Sequence, residues 1–207
     1  YVTTRKLGGP AARRTLMAAL VLAAWFGLDA LAVGSGAIEA RPIPRLVLFF
    51  LGNNLLALGF ALSPAGGAIA RSVPLVALIA FQAFRLPLEL VLHAWAAQGT
   101  IPETMTWTGQ NFDIISGVAA LVAAALGTRF PIAIRAANVI GLALLGNVMR
   151  VAVLSSPVPF GWPIEPSLQL AFHLPYAFIV PVCVGGALAG HVVLIRALLH
   201  ARQLSRT

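Results

Sequence analysis

The sequence predicts an all-α fold: a polytopic transmembrane helical bundle of about six spans. Three observations predict it. Only 10% of the 207 residues are charged and 59% are hydrophobic, whereas a soluble domain is about 25% charged. The apolar residues gather in runs that approach or exceed the roughly 20 residues a helix needs to cross the hydrocarbon. Short linkers rich in Pro and Gly separate these runs, at 40–44, 63–67 and 155–163.

The first apolar run is 16–33, and Arg5, Lys6, Arg13 and Arg14 precede it. Such a start resembles a signal sequence. However, the run is longer than a signal core, contains Asp29 and has no small-residue cleavage site, so it reads as an uncleaved first helix. The second span is 46–62 and carries Asn53 and Asn54. The third is 73–95. The fourth, 112–127, is short and is introduced by Gln110-Asn-Phe-Asp113, a helix-start signal. The fifth is 132–154 and the sixth 176–199. This divides the chain into a basic tail at 1–14, a six-helix membrane domain at 15–200 and a second tail at 201–207.

Orientation follows from the basic residues. With the N-terminus in the cytoplasm, ten of the Lys and Arg residues fall on or near the inside: Arg5, Lys6, Arg13, Arg14, Arg71, Arg129, Arg135, Arg196, Arg202 and Arg206. Only Arg41 and Arg45 fall in outer loops. The positive-inside rule therefore places both termini in the cytoplasm. Trp95, Trp107 and Trp162 then lie near the outer interface, where indole rings settle. The net charge of +8 has the same explanation. Its basic residues form no continuous face, which argues against nucleic acid as a partner. Membrane lipids are the expected surroundings, with a membrane-anchored peptide or other membrane subunits as partners.

The third run carries Gln82, Arg85, Glu89 and His93 at spacings of three, four and four. At 100° per residue these share one narrow arc of a helix. Ionisable groups at membrane depth face a protein interior or a wet cavity. Arg85 lies ~18 Å along its helix, just beyond the midplane, with Glu89 a turn further out. Asp29, Asn53, Asn54, Asp113, Asn147, Arg150 and His173 also fall in the outer half or at its edge. A binding site open to the extracytoplasmic side is therefore expected, with Arg85, Glu89, His93, Asn147, Asn53, Asn54 and Asp29 contacting substrate.

Each group also has a plainer reading. Arg85 and Glu89 can simply pair to permit burial. Pro87, between them, cannot donate to the Ala83 carbonyl and is expected to bend the helix. Arg150 can snorkel to headgroups or bind an anion through its fork of donors. Asp113 can start the fourth helix, or pair with Arg150 or Arg85. His173 can anchor at the interface or act as a proton acceptor. Cys183 stands alone in an apolar run, so no intrachain disulfide or zinc spacing exists. There is no HExxH, GxSxG or P-loop, and no metal or cofactor is expected. Gly186-Ala-Leu-Ala-Gly190 reads as a helix-packing motif.

Two resemblances extend this reading. Trp107-Thr-Gly-Gln-Asn-Phe-Asp-Ile-Ile-Ser-Gly117, with Arg85-Leu-Pro-Leu-Glu89, resembles bacterial multi-pass inner-membrane proteins of uncharacterised function. Ile115-Ser-Gly117, then Asn147-Val-Met-Arg150, then His173 resemble the exosortase/archaeosortase superfamily in order and placement. That pattern has Cys-Ser-Gly, Asn-x-x-Arg and a later His at the outer ends of successive elements. The resemblance covers about residues 110–184. It implies a sortase-like site with Arg150 and His173 in catalytic roles. Ile115 stands where the nucleophilic cysteine belongs, so thiol peptidase chemistry does not carry over; Asp113 is the carboxylate left to act as nucleophile or base.

Three functions follow from these readings. The first is an extracytoplasmic-facing site that binds, with or without processing it, a membrane-anchored peptide or lipid-linked substrate. The second is an accessory or scaffold subunit of a larger membrane complex. The third is a small transporter with its site at Arg85 and Glu89.

Overall fold

Five helices are long and apolar enough to cross a membrane, and one shorter apolar helix accompanies them. The computed structural model describes residues 11–39 and 42–204. The residues of the predicted tails at 1–10 and 205–207, and Arg41, lie outside that range. The elements are α1 (Ala11–Gly34), α2 (Pro42–Leu62), α3 (Pro64–Ser72), α4 (Leu75–Phe81), α5 (Arg85–Ala97), α6 (Ile114–Leu126), α7 (Pro131–Ser155) and α8 (Gly186–Leu204). Among the described residues there is no strand. The protein is an all-α, multi-pass membrane bundle.

The third predicted span is two helices in line. A 3-10 turn, Gln82–Phe84, joins α4 to α5. It sits one turn before Pro87, where proline removes a backbone donor and crowds the preceding turn. The last span begins as a 3-10 turn at Tyr176–Phe178 and a π-helical stretch at Ile179–Gly185, which contains Pro181, before α8. Interior prolines thus coincide with both irregular segments.

One boundary differs from the sequence expectation. The linker expected at 63–67 instead opens α3. Ser63 accepts the Gly66 N–H at 3.3 Å and Pro64 occupies the first turn, where its missing donor costs nothing. Composition concealed this helix because its glycines serve close packing against α2 and α8. α6 has 13 residues, or ~20 Å of helix, so it reaches only part way across a ~30 Å hydrocarbon core.

The core divides by depth. Ala61, Leu78, Ile79, Ala120, Ile134 and Leu194 pack together near the end that carries α3. Leu92, Ile101, Met105, Val151 and Leu168 pack at the opposite end, partly from the loop between α5 and α6. α1 is peripheral. It leaves Leu16, Met17, Leu20 and Val21 exposed and meets the bundle near Phe178, against which Phe26 packs edge-on at 5.7 Å. Lipid is the natural solvent for such a surface.

Candidate functional site

Three of the four residues in the predicted arc are buried, and the fourth, His93, is half-buried. Gln82, Arg85 and Glu89 are each about 1% exposed. The pairing differs from the simplest expectation. Arg85 Nη1 meets Asp113 Oδ1 at 2.7 Å and also donates to the Gly141 carbonyl at 3.1 Å. Glu89 is held by a different residue: Asn111 Nδ2 donates to its Oε1 at 2.9 Å. Asp113 therefore does not cap α6 with its side chain. It stands at the entry to α6 and turns its carboxylate to α5, because a buried guanidinium needs a counter-charge more than a helix end needs a cap.

Asn111 organises the cluster. Its amide also donates to the Met105 carbonyl at 3.1 Å, and its Oδ1 accepts the Asp113 backbone N–H at 3.1 Å. One amide thus fixes the loop before α6, orients Glu89 and sets the position of Asp113. The sequence reading treated Asn111 only as part of a helix-start signal.

Below this cluster, His191 Nδ1 lies 2.8 Å from Asn138 Oδ1. The imidazole presses on Gly141, where an added Cβ would come within 2.8 Å of Nε2 and closer still to Cε1. Gln82 donates to the Ala187 carbonyl at 3.2 Å and needs Gly190, whose Cβ position is 2.5 Å from its amide nitrogen. The GxxxG segment therefore makes room for a buried glutamine as well as for helix packing. Gly141→Ala is expected to displace His191, break its contact with Asn138 and destabilise the protein by about 1–3 kcal/mol. His191→Ala should remove most of that penalty. Reversible SDS-induced unfolding in mixed micelles, with both single variants and the double variant, checks this.

Arg85, Glu89 and Asp113 are the charged members of the wall of a cavity of about 260 Å³. The rest of the wall is almost wholly apolar and includes Phe50, Leu88, Leu145, Val148, Leu168 and Val180. Val47 and Leu51 of α2, Phe160 of the loop after α7, and Tyr176 line it and are also exposed at the surface. The cavity therefore meets the surface on an apolar flank of the bundle. Cys183 is also in its wall.

The other predicted site residues lie elsewhere. Arg150 is exposed; it bonds Asn147 Oδ1 at 3.0 Å, reaches Gln110 Oε1 at 3.4 Å and lies over the Trp162 ring at 5.7 Å. Asn147 donates to the Gln110 carbonyl at 2.7 Å. His173 is exposed. Neither Arg150 nor His173 lines the cavity, so Asp113, Arg150 and His173 are not gathered around one point. Asp29 and Asn53 form a separate buried contact between α1 and α2. Asn53 Nδ2 donates to Asp29 Oδ1 at 3.2 Å, and Trp25 Nε1 donates to Asn53 Oδ1 at 2.7 Å. Asn54 bonds the Phe50 carbonyl of its own helix. His93 stacks on Trp107 with ring centroids 4.1 Å apart.

No family of known proteins, no curated protein and no solved structure matches the chain. The site is therefore read from its own chemistry. Among the described residues no cluster of His, Cys, Asp and Glu is arranged to hold a metal ion. What the site offers is an apolar chamber with two carboxylates and one guanidinium fixed in its wall.

Proposed function

We propose that the protein binds a membrane-anchored substrate, a peptide or a lipid-linked molecule, in the cavity walled by Arg85, Glu89 and Asp113. The observation that carries this reading is the contrast within one chamber of about 260 Å³. Its apolar walls suit a hydrophobic anchor, and its charged cluster suits a polar group attached to that anchor. The exposed apolar lining at Val47, Leu51 and Phe160 supports entry from the bilayer rather than from water.

The site faces the extracytoplasmic side in this reading, with both termini in the cytoplasm and the protein in a bacterial inner membrane. The distribution of basic residues supports that orientation. The exosortase-like layout adds Asn147, Arg150 and His173 at the outer surface, above the cavity. There Arg150 and His173 would meet the extramembrane part of a substrate. The nucleophile position of that layout is Ile115, which is 51% exposed on the outside of the bundle. The residues present therefore support binding more strongly than cleavage.

A photocrosslinking experiment tests this. Benzoylphenylalanine is introduced at Val148, in the cavity wall, and at Val139, an exposed position of the same helix outside it. After irradiation in native membranes, position 148 should yield a discrete adduct that Leu88→Trp, which fills the chamber, abolishes. Position 139 should yield only bulk phospholipid. Bulk phospholipid alone at both positions would sink the proposal.

A further inference from the structure

A second region combines charge and apolar space, at the opposite end of the bundle. The Cβ position of Gly67, in α3, lies 2.5 Å from Arg196 Nη2 and 3.2 Å from Arg71 Nη1. The two guanidinium groups are thus within about 6 Å of each other, where like charges repel unless an anion sits between them. Arg196 is fixed in place: its Nη1 donates to the Ala61 carbonyl and, at 2.9 Å, to the Ser63 carbonyl. Arg71 is exposed. Only a residue without a side chain at position 67 permits this approach.

None of the six acidic side chains is placed to neutralise the pair. All six acidic residues, Asp29, Glu39, Glu89, Glu103, Asp113 and Glu165, lie in the outer halves of spans or in the loops at the other end. Asp113 is committed to Arg85 in a buried ion pair.

A groove of about 510 Å³ separates α1 from the bundle. Trp25 and Phe26 of α1 form one side. Phe60 of α2, Ile69 of α3 and Val193 of α8 are among the residues on the other. Val193 is one turn from Arg196, and Ile69 is two residues from Arg71. Neither arginine lines the groove, but Arg196 continues the face of α8 that Ala189 and Val193 present to it, so the groove runs toward Arg196.

We propose that Arg71 and Arg196 bind the phosphate of an anionic phospholipid, one acyl chain of which lies in the groove beside α1. Charge complementarity selects the headgroup: two guanidinium groups with no acidic partner match a phosphate, and a net anionic lipid lacks the headgroup cation that would be repelled. The apolar groove selects the chain. α1 otherwise touches the bundle mainly near its far end, so the lipid would also be the filler that seats it. This site is separate from the cavity at Arg85 and stands whatever that cavity binds.

The test uses the full chain in detergent and native mass spectrometry with two lipids of identical chains, palmitoyl-oleoyl phosphatidylglycerol and phosphatidylcholine. Phosphatidylglycerol should bind roughly twenty-fivefold tighter, from about fivefold for each arginine. Arg71→Gln should remove about fivefold of that preference. Arg71 has no hydrogen bond to the rest of the described protein, so this variant is expected to fold. Ala189→Trp, which fills the groove, should weaken both lipids. Equal binding of the two lipids to the unaltered protein would overturn the proposal, as would a preference unchanged by Arg71→Gln. If inorganic phosphate competes as well as the lipid does, the site takes a free anion and the lipid assignment fails.

Discussion

Asp113→Leu is expected to destabilise the protein by about 3–5 kcal/mol, the cost of leaving a buried guanidinium without its counter-charge. Arg85 would keep only its bond to the Gly141 carbonyl. Arg85→Leu should cost a similar amount, because the carboxylate would then be the stranded group. The double variant is the informative one. Replacing both charges with apolar groups removes the desolvation cost along with the attraction, so its stability should lie well above that of either single variant. SDS-induced unfolding in mixed micelles, followed by tryptophan fluorescence, measures all three. Single-variant losses below about 1 kcal/mol would mean that the pair behaves like a solvated surface salt bridge, and the enclosed site would have to be abandoned.

The second large effect is expected at Asn111. Asn111→Ala removes the donor to Glu89 Oε1, the donor to the Met105 carbonyl and the acceptor of the Asp113 N–H. Glu89 would be left buried with no hydrogen bond from the described protein, since its other oxygen has none already. A loss of about 2–3 kcal/mol is expected, more than one neutral hydrogen bond is worth, because buried groups are stranded. Glu89→Leu in the Asn111→Ala background should recover part of it. The same unfolding assay decides: if the double variant is less stable than Asn111→Ala alone, Glu89 has another partner and Asn111 is not its anchor.

Much of the fold was legible in the sequence because the bilayer imposes a simple rule. Backbone polar groups must be satisfied within each segment, so long apolar runs become helices, and those runs can be counted. The exceptions are physical. α3 was hidden because Gly66 and Gly67, read as linker residues, are glycines for close approach. The shortness of α6 was legible as well, because its apolar run falls below the length of a full crossing. The irregular turns at 82–84 and 176–185 follow from prolines whose positions were visible, although the form of each distortion was not.

The site was legible only in part. The periodicity of Gln82, Arg85 and Glu89 marked one buried face, and burial of all three agrees with it. Partner choice was not visible. Asp113 is 28 residues from Arg85 and Asn111 is 22 from Glu89, and no local spacing encodes which distant group will meet which. Arg150 and His173 drew attention through order along the chain, whereas their exposure depends on how α7 and the following loop pack.

The sequence by itself determined the class of the protein, the approximate number of its spans, the polar face of the third span and the asymmetric placement of its charges. These depend on composition and on the helical repeat, which are local properties. Only the tertiary structure decided that Arg85 pairs with Asp113, that Asn111 holds Glu89, and that these groups wall an apolar cavity while Arg71 and Arg196 converge at the other end. Those facts depend on contacts between residues far apart in the chain, where a glycine or an amide in the right place sets which side chains can meet.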